Sequence, residues 1–240
     1  QETEKSRAEL ERANELKNQL LSVAAHDLKN PLNSVMCFSS IILEETKDEE
    51  VKTMAEMING SSHKMLQLII DLLEGAALQS KDIKLSIKPV NVGTLIQKVV
   101  NEYSIRAEQK KQIIESSIPD ILLAEVDSTW FTHALENILS NAVKYSPNSS
   151  NIYVSCKEES GNILISVKDN GPGFTDEDKQ LLFGKFQRLS AKPTGGETST
   201  GLGLSIVKDI IEKHNGKVWV ESEAGKGSNF IISIPVESRV

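Results

Sequence analysis

The stretch His26-Asp27-Leu28-Lys29-Asn30-Pro31-Leu32 sets a proline inside an apolar helical pattern that does not slip. The pattern runs Leu21, Ala25, Leu28, Leu32, Val35, Ser39, Ile42, spaced 4, 3, 4, 3, 4, 3. That is a heptad seam. Proline within a helix removes a hydrogen bond and crowds the carbonyl four residues back, here Asp27, at about 3 kcal/mol. Tolerated in an unbroken seam, one turn after a histidine, it marks a local shape with a purpose. A second seam runs Val51, Met54, Ile58, Ser61, Met65, Leu68, Leu72, spaced 3, 4, 3, 4, 3, 4. The polar break from Glu44 to Glu49 holds Asp48 as an N-cap. Residues 1 to about 80 therefore read as an antiparallel helical hairpin. Seams this apolar are not well buried by two helices alone, whereas a dimer forming a four-helix bundle buries them. Packing on the second half of the same chain is the alternative. Upstream, Ala13, Leu16, Leu20 and Val23 read as a short coiled-coil lead-in or a plain solvated helix end.

From about Lys81 the period changes. Ile83, Leu85 and Ile87 alternate as in a strand, and Val92 to Tyr103 has helical spacing. Ile121 to Val126 is a short apolar strand, and Asp127 or Ser128 can cap a helix running to about Tyr145. Ile152–Val154 and Ile163–Val167 are strands joined at Ser160-Gly161-Asn162. Lys192 to Thr200 reads as a loop, Leu204 to Lys213 as a helix, and Lys217–Glu221 and Asn229–Ile234 as closing strands. Interleaved elements with strands at hairpin distance predict a mixed α/β sandwich over residues 81–240, distinct from a doubly wound parallel sheet.

The 240 residues are 39% hydrophobic and 25% charged, with a formal net charge of −7. This is a globular composition whose acidity argues against general nucleic-acid binding and against a polybasic membrane anchor. Aromatics are only 5%, so the core rests on Ile, Leu and Val. Cys37 and Cys156 form no metal-type spacing and read as reduced thiols, as in a cytoplasmic protein. No apolar run approaches a membrane span, and no signal peptide is visible. The chain opens with Gln1 in a charged stretch and reads as a fragment, with any sensory region lying before it.

Three groups carry chemistry. His26 lies one position, about 100°, from the seam, hence at the bundle edge. A neutral imidazole can attack a phosphoryl group, and Asp27 beside it can orient the ring and accept its proton. A solvated surface histidine is the plainer reading of these residues alone. Asn137, Asn141 and Lys144 share one helix face, opposite Leu135, Ile138, Leu139 and Val143. Carboxamide oxygens and a lysine suit magnesium and phosphate, although a solvated amphipathic face is the equal alternative. Two glycine clusters follow, Asp169-Asn170-Gly171-Pro172-Gly173 after a strand and Thr200-Gly201-Leu202-Gly203-Leu204 opening a helix. They let the backbone approach a ligand and set a helix N-terminus toward phosphate. Asp169 can accept a hydrogen bond from an adenine amino group. Neither cluster is a Walker loop or a dinucleotide fingerprint.

In this order, the motifs resemble those of sensor histidine kinases over nearly the whole chain. His26–Leu32 is similar to the family's H-box, Asn137–Tyr145 to its N-box and Asp169–Gly173 to its first glycine box. Phe183–Arg188 is similar to the F-box, Gly201–Leu204 to the second glycine box and Gly225–Phe230 to the closing glycine–aromatic turn. The resemblance implies a dimerising phosphoacceptor domain over residues 1–80 and a Bergerat-type ATP-binding domain over 81–240. It implies ATP and Mg2+ as cofactors, His26 as phosphoacceptor and Asp27 as proton acceptor. It implies magnesium at Asn141 with Asn137 assisting, phosphate at Lys144 and adenine packing at Tyr145. Asp169 would read the adenine, and Gly171, Gly173 and Thr200 to Leu204 would shape the cover over the phosphates. Lys185 and Arg188 would reach the phosphate side. Asn30 falls where the family places a residue linked to dephosphorylating the partner receiver domain. Homodimerisation and phosphotransfer to a response regulator follow as expectations.

Of the other histidines, His63 reads as solvated and His133 as surface or phosphate-adjacent. His214, in a last helical turn, reads as a cation favoured by the dipole. Gyrase-like and chaperone-like ATPases share the sandwich, but they carry a water-activating glutamate where this chain has Asn137. A nucleotide-binding scaffold without kinase activity is the further rival.

Overall fold

The computed structural model describes residues 24–25, 27–79, 85–185, 187, 189–195 and 201–236, with only the backbone at 72, 74 and 76–79. The expectations for Leu21, the coiled-coil lead-in, His26, Ile83, Arg188 and Thr200 fall outside these residues. The chain divides into two compact units, meeting in sequence between Ile83 and Lys84.

The first unit is a helical hairpin. Helix α1 spans 27–45, with 24 and 25 also helical, and α2 is Glu49–Gln79. Asp48 caps α2, its Oδ1 accepting the N–H groups of Glu50 at 2.9 Å and Val51 at 3.2 Å. Glu49 and Glu50 complement the positive end of the helix dipole. Small residues, Ala25, Ser39, Ala55 and Ser62, are buried and bring the helices close. Asn59 bridges them, its Nδ2 donating to Ser39 Oγ at 2.9 Å, Ser40 Oγ at 3.0 Å and the Met36 carbonyl at 3.3 Å.

Within one chain this packing leaves most of both seams unburied, as two helices alone were expected to do. Ala25 and Ser39 are buried, but Leu28, Val35, Ile42, Val51, Met54, Ile58, Met65 and Leu68 are exposed. On α2 the buried positions Ala55 and Ser62 lie one residue past Met54 and Ser61, about 100° around the helix. Small side chains allow the closest approach, so the hairpin closes on them and leaves the large apolar ones outside.

The second unit is the expected mixed α/β sandwich. Its elements are β1 (Lys88–Asn91), α3 (Val92–Glu108), β2 (Ile113–Ser117), β3 (Leu123–Val126), α4 (Ser128–Tyr145) and β4 (Asn151–Glu159). Then come β5 (Asn162–Asp169), α5 (Asp176–Leu181), α6 (Gly203–Lys213), β6 (Lys217–Ser222) and β7 (Ser228–Pro235). The main sheet has the order β2-β4-β5-β7-β6, and β1 pairs with β3 apart from it. Alternation places Ile152, Val154 and Cys156 of β4, Ile163, Ile165 and Val167 of β5, and Phe230, Ile232 and Ile234 of β7 in the core. Helices α3, α4 and α6 pack on the sheet and on one another, with α4 between its neighbours. Burial pushes the Cys156 thiol up to about 12, so it is an inert core group.

Three details depart from the sequence reading. Residues 85–87 are not a strand; the pairing begins at Lys88. Strand β2 was not anticipated and pairs parallel with β4, Ile114 opposite Ile152. Its sequence, Ile-Ile-Glu-Ser-Ser, has little alternation, and its partner arrives only after the long α4 crossover. Helix α5 is six residues, too short to show a period. Among the described residues, no helix is long and apolar enough to cross a membrane.

Candidate functional site

Helix α4 is held at both ends. Asp127 Oδ1 accepts the N–H groups of Thr129 at 3.0 Å and Trp130 at 3.2 Å, as an N-cap should. Its Oδ2 accepts the Ser86 N–H at 2.8 Å, tying in the segment that enters the second unit. Phe131, Ala134, Leu135, Ile138, Leu139, Ala142 and Val143 are buried. Asn137, Asn141, Lys144 and Tyr145 are half-buried on the remaining surface. The Asn137 amide donates to the His133 carbonyl at 3.0 Å and lies 3.2 Å from His133 Nε2.

The asparagine helix meets the second glycine cluster directly. A Cβ added at Gly203 would lie 2.7 Å from Asn137 Oδ1, so any larger residue would push the Asn137 carboxamide aside. Gly203 opens α6, and the Ser205 hydroxyl in its first turn donates to the Leu202 carbonyl at 2.8 Å. Its first-turn N–H groups are the kind that receive phosphate oxygens. Leu202 is buried, Gly201 sits at φ +71° and Leu204 is half-buried.

Asp169 ends β5 and is 4% exposed. Burial raises its pKa to about 6, while the N–H groups of Gly171 and Ser228 act in the opposite direction. The Gly171 N–H donates to Oδ1 at 2.7 Å. A Cβ at Gly171 would stand 2.8 Å from that oxygen and 3.2 Å from the Tyr145 carbonyl oxygen. The end of α4 and the first glycine cluster are therefore packed backbone to backbone.

That cluster rests on the turn between β6 and β7. A side chain at Gly173 would collide with the Glu223 carbonyl, and one at Gly227 with the Asp169 carbonyl. Gly225 N–H donates to Pro172 O at 2.7 Å, and Phe174 N–H to Ser222 Oγ at 3.0 Å. Phe174 meets Phe230 edge to face, with ring centroids 6.1 Å apart. The Gly225–Phe230 turn is thus the wall behind Asp169, a role its sequence did not disclose. Lys185 is exposed, its Nζ 3.8 Å from Asp209 Oδ2 of α6. In the hairpin unit, Asp27 and Asn30 are exposed on α1, and the Ser34 hydroxyl donates to the Asn30 carbonyl at 3.3 Å.

The remaining histidines divide. His63 is exposed, with Nδ1 3.0 Å from the Asn59 carbonyl. His214 corrects the expectation of a cation. It is 3% exposed, and burial lowers its pKa. Its Nε2 accepts the Asp127 N–H at 2.9 Å, so Nδ1 carries the proton and donates to Ile210 O at 2.8 Å. A neutral ring is required by that pattern. Three residues that sequence reading did not single out, Lys110, Gln112 and Thr194, surround the C-terminal carbonyls of α4.

Two family models match the chain. "His Kinase A (phospho-acceptor) domain" matches residues 16–81, and "Histidine kinase-, DNA gyrase B-, and HSP90-like ATPase" matches residues 126–238. The sensor-like histidine kinase SenX3 of Mycolicibacterium smegmatis is 30% identical over 212 residues, covering 88% of this chain and 55% of the relative. The sensor histidine kinase WalK of Bacillus subtilis is 28% identical over 232 residues, covering 95% of this chain and 38% of the relative. The chain spans about half or less of these curated relatives. Among solved structures, full-length ShkA in complex with AMPPNP superposes with a TM-score of 0.72 at 27% identity, covering 90% of this chain and 45% of that one.

Proposed function

This chain belongs to the sensor histidine kinases of two-component systems, and we propose that it binds ATP with magnesium and phosphorylates its own His26. The observation that carries the reading is Asp169, a buried carboxylate between glycine backbones, next to the end of the Asn137–Lys144 helix and joined through it to the head of α6. A buried acceptor of this kind suits the amino group of adenine. Glycines at 171, 173, 201 and 203 let the backbone come close to the nucleotide. Lys144 supplies charge to the phosphates, and Tyr145 packs on the adenine side. By the family resemblance, Lys185 and Arg188 would reach the phosphate side, and Thr200, Leu202 and Leu204 would belong to the cover over it. Among the described residues no three His, Cys, Asp or Glu side chains are grouped for a metal. The donors at hand are the carboxamides of Asn141 and Asn137, hard ligands that suit magnesium arriving with the phosphates.

In the reaction an imidazole nitrogen of His26 forms a bond to the γ-phosphorus. The bond from phosphorus to the β–γ bridging oxygen breaks, ADP leaves, and the imidazole proton passes to Asp27. Hydrolysis by the same fold needs a carboxylate aimed at water. The candidate, Glu136, is turned elsewhere. Burial raises its pKa, and its charged neighbours are Glu102, Arg106 and Lys98, all on α3. Transfer to protein is favoured over transfer to water. Incubation with labelled ATP and magnesium should give an acid-labile, alkali-stable label, and Asn141→Ala should cut it by about 100-fold, the scale of losing one charge-stabilising group. An unchanged label in Asn141→Ala would remove that residue from the metal site, and an unlabelled parent would end the kinase reading.

We read residues 1–80 as the dimerisation and phosphoacceptor domain and 81–240 as the ATP-binding domain. The exposed apolar face of the hairpin, Val35, Ile42, Met54, Ile58 and Met65 among others, is what a second copy would cover in a four-helix bundle. Light scattering at tens of micromolar should give a dimer, and Ile58→Asp should shift it toward monomer, because a charge in that seam loses its hydration. A monomeric parent contradicts this assembly. Phosphotransfer from His26 to an aspartate of a response regulator receiver, under control of a sensory region N-terminal to residue 1, completes the proposal.

A further inference from the structure

The last carbonyls of a helix have no partners within it. In α4 they are gathered by side chains from two distant segments. Lys110 Nζ donates to Val143 O at 2.9 Å and Lys144 O at 3.1 Å. Gln112, 3% exposed, donates its amide to Ser146 O at 2.9 Å, Pro147 O at 3.1 Å and Val143 O at 3.2 Å. Thr194 comes from a loop 50 residues further along the chain than Lys144. Its backbone N–H donates to Lys144 O at 3.0 Å. Its hydroxyl oxygen lies 3.0 Å from Lys144 O and 2.8 Å from Ser146 O, and it accepts from Lys110 Nζ at 2.6 Å. One hydroxyl thus accepts a hydrogen bond from the ammonium and donates its own to a helix carbonyl.

The chemistry of this knot matches its place. An ammonium at a helix C-terminus is favoured by the dipole, and its three donors span several carbonyls at once. Gln112 already satisfies the buried carbonyls. Thr194 is exposed and Lys110 half-buried, so water would serve the rest if stability alone were at stake. What Lys110 and Thr194 add is a tie across 84 residues. It fastens residues 192–195, which form no helix or strand, to the end of α4 that carries Lys144 and Tyr145. The same helix end presents the Tyr145 carbonyl to Gly171, next to Asp169.

We infer that Lys110 and Thr194 are positioning residues for the nucleotide site, locking the segment beyond Lys185 to the Lys144–Tyr145 end of α4. The inference rests on the nucleotide reading proposed above. Neither residue touches the nucleotide; they set where Lys144 and Tyr145 stand relative to Asp169.

The test is equilibrium binding of a fluorescent ATP analogue to the full 240-residue chain, with a melting curve for each variant. Thr194→Val keeps the shape and removes the hydroxyl. Lys110→Met keeps the length and removes the charge. Each should weaken binding about tenfold, the scale of one charge-assisted hydrogen bond. The melting temperature should stay within about 2 °C, because the tie is at the surface. Thr194→Ser should restore affinity. The double variant should be no weaker than the weaker single, since both act through one network. Parental affinity in both single variants overturns the inference, as does Thr194→Ser binding no better than Thr194→Val, or affinity lost only in step with melting temperature. A parent chain that binds no nucleotide overturns the reading of the site, and this inference with it.

Discussion

Asp169→Asn is expected to lose nucleotide affinity by about 100-fold while melting no lower than the parent. The carboxylate is 4% exposed, and its pKa is raised to about 6 from an ordinary 3.8. Between those values the folded protein holds the proton more tightly than the unfolded chain does. Stability therefore falls as pH rises through that window and is level above it. At neutral pH the buried charge costs the fold about 3 kcal/mol, at 1.36 kcal/mol per pKa unit. Asparagine removes that cost. Its Oδ1 can still accept the Gly171 N–H, but its amide faces the donating Ser228 N–H and returns part of the gain. The empty variant should thus match or exceed the parent in melting temperature at pH 7.5, and the slope of stability between pH 4 and 6 should flatten. Binding should suffer because a neutral amide offers adenine a weaker acceptor and opposes donor with donor. In the parent, affinity should decline as pH drops through about 6, where Asp169 takes up its proton. A variant that binds ATP like the parent would remove Asp169 from adenine recognition. A variant that melts well below the parent would show the carboxylate to be a structural anchor instead.

His26→Gln should leave no acid-labile label while still binding nucleotide. The proposed reaction passes through one imidazole nitrogen, and glutamine has no nucleophile of that kind, so the expected effect is complete rather than graded. Labelling of His26→Gln at the parental level would move the acceptor elsewhere. Asn30→Ala supplies the contrast in the same series. Asn30 lies one helical turn beyond position 26 and is exposed, free of the charge chemistry of the forward step. If Asn30 serves the reverse reaction, as the family resemblance implies, its carboxamide would position a water against a phospho-aspartate of the partner. The variant should keep its label at His26 and lose phosphatase activity toward the phosphorylated partner. Equal loss of both activities would point to damage around Pro31, and full phosphatase activity would remove Asn30 from the mechanism.

Much of the candidate site's geometry was legible because its spacing is local. Asn137, Asn141 and Lys144 fall on one helix face by spacing, and Asp48 and Asp127 announce the helices they cap. Glycines at 171, 173 and 203 stand where a Cβ would meet Asp169, the Glu223 carbonyl or Asn137. The residues that escaped are those whose partners are remote. Gly227 reads as one more turn glycine until it is seen against the Asp169 carbonyl. Lys110 and Thr194 carry no local signal, and only the α4 carbonyls between them bring them together. His214 was misread for the same reason. Position in a last turn favours a cation, but the Asp127 N–H, 87 residues away, requires a lone pair on Nε2.

Period and order alone determined the two-part architecture. A repeat of 3 and 4 specifies packed helices, a repeat of 2 specifies half-buried strands, and both are properties of consecutive residues. Which apolar stripe closes the hairpin was decided only in the fold. Ala55 and Ser62 allow a closer approach than Met54 and Met65, and the distance between two helix axes belongs to the pair of them. The parallel pairing of β2 with β4 was likewise settled by the α4 crossover, and the raised pKa of Asp169 by the β6–β7 turn that buries it. Desolvation and distant hydrogen bonds depend on what lies across a gap in space, which no run of neighbouring residues records.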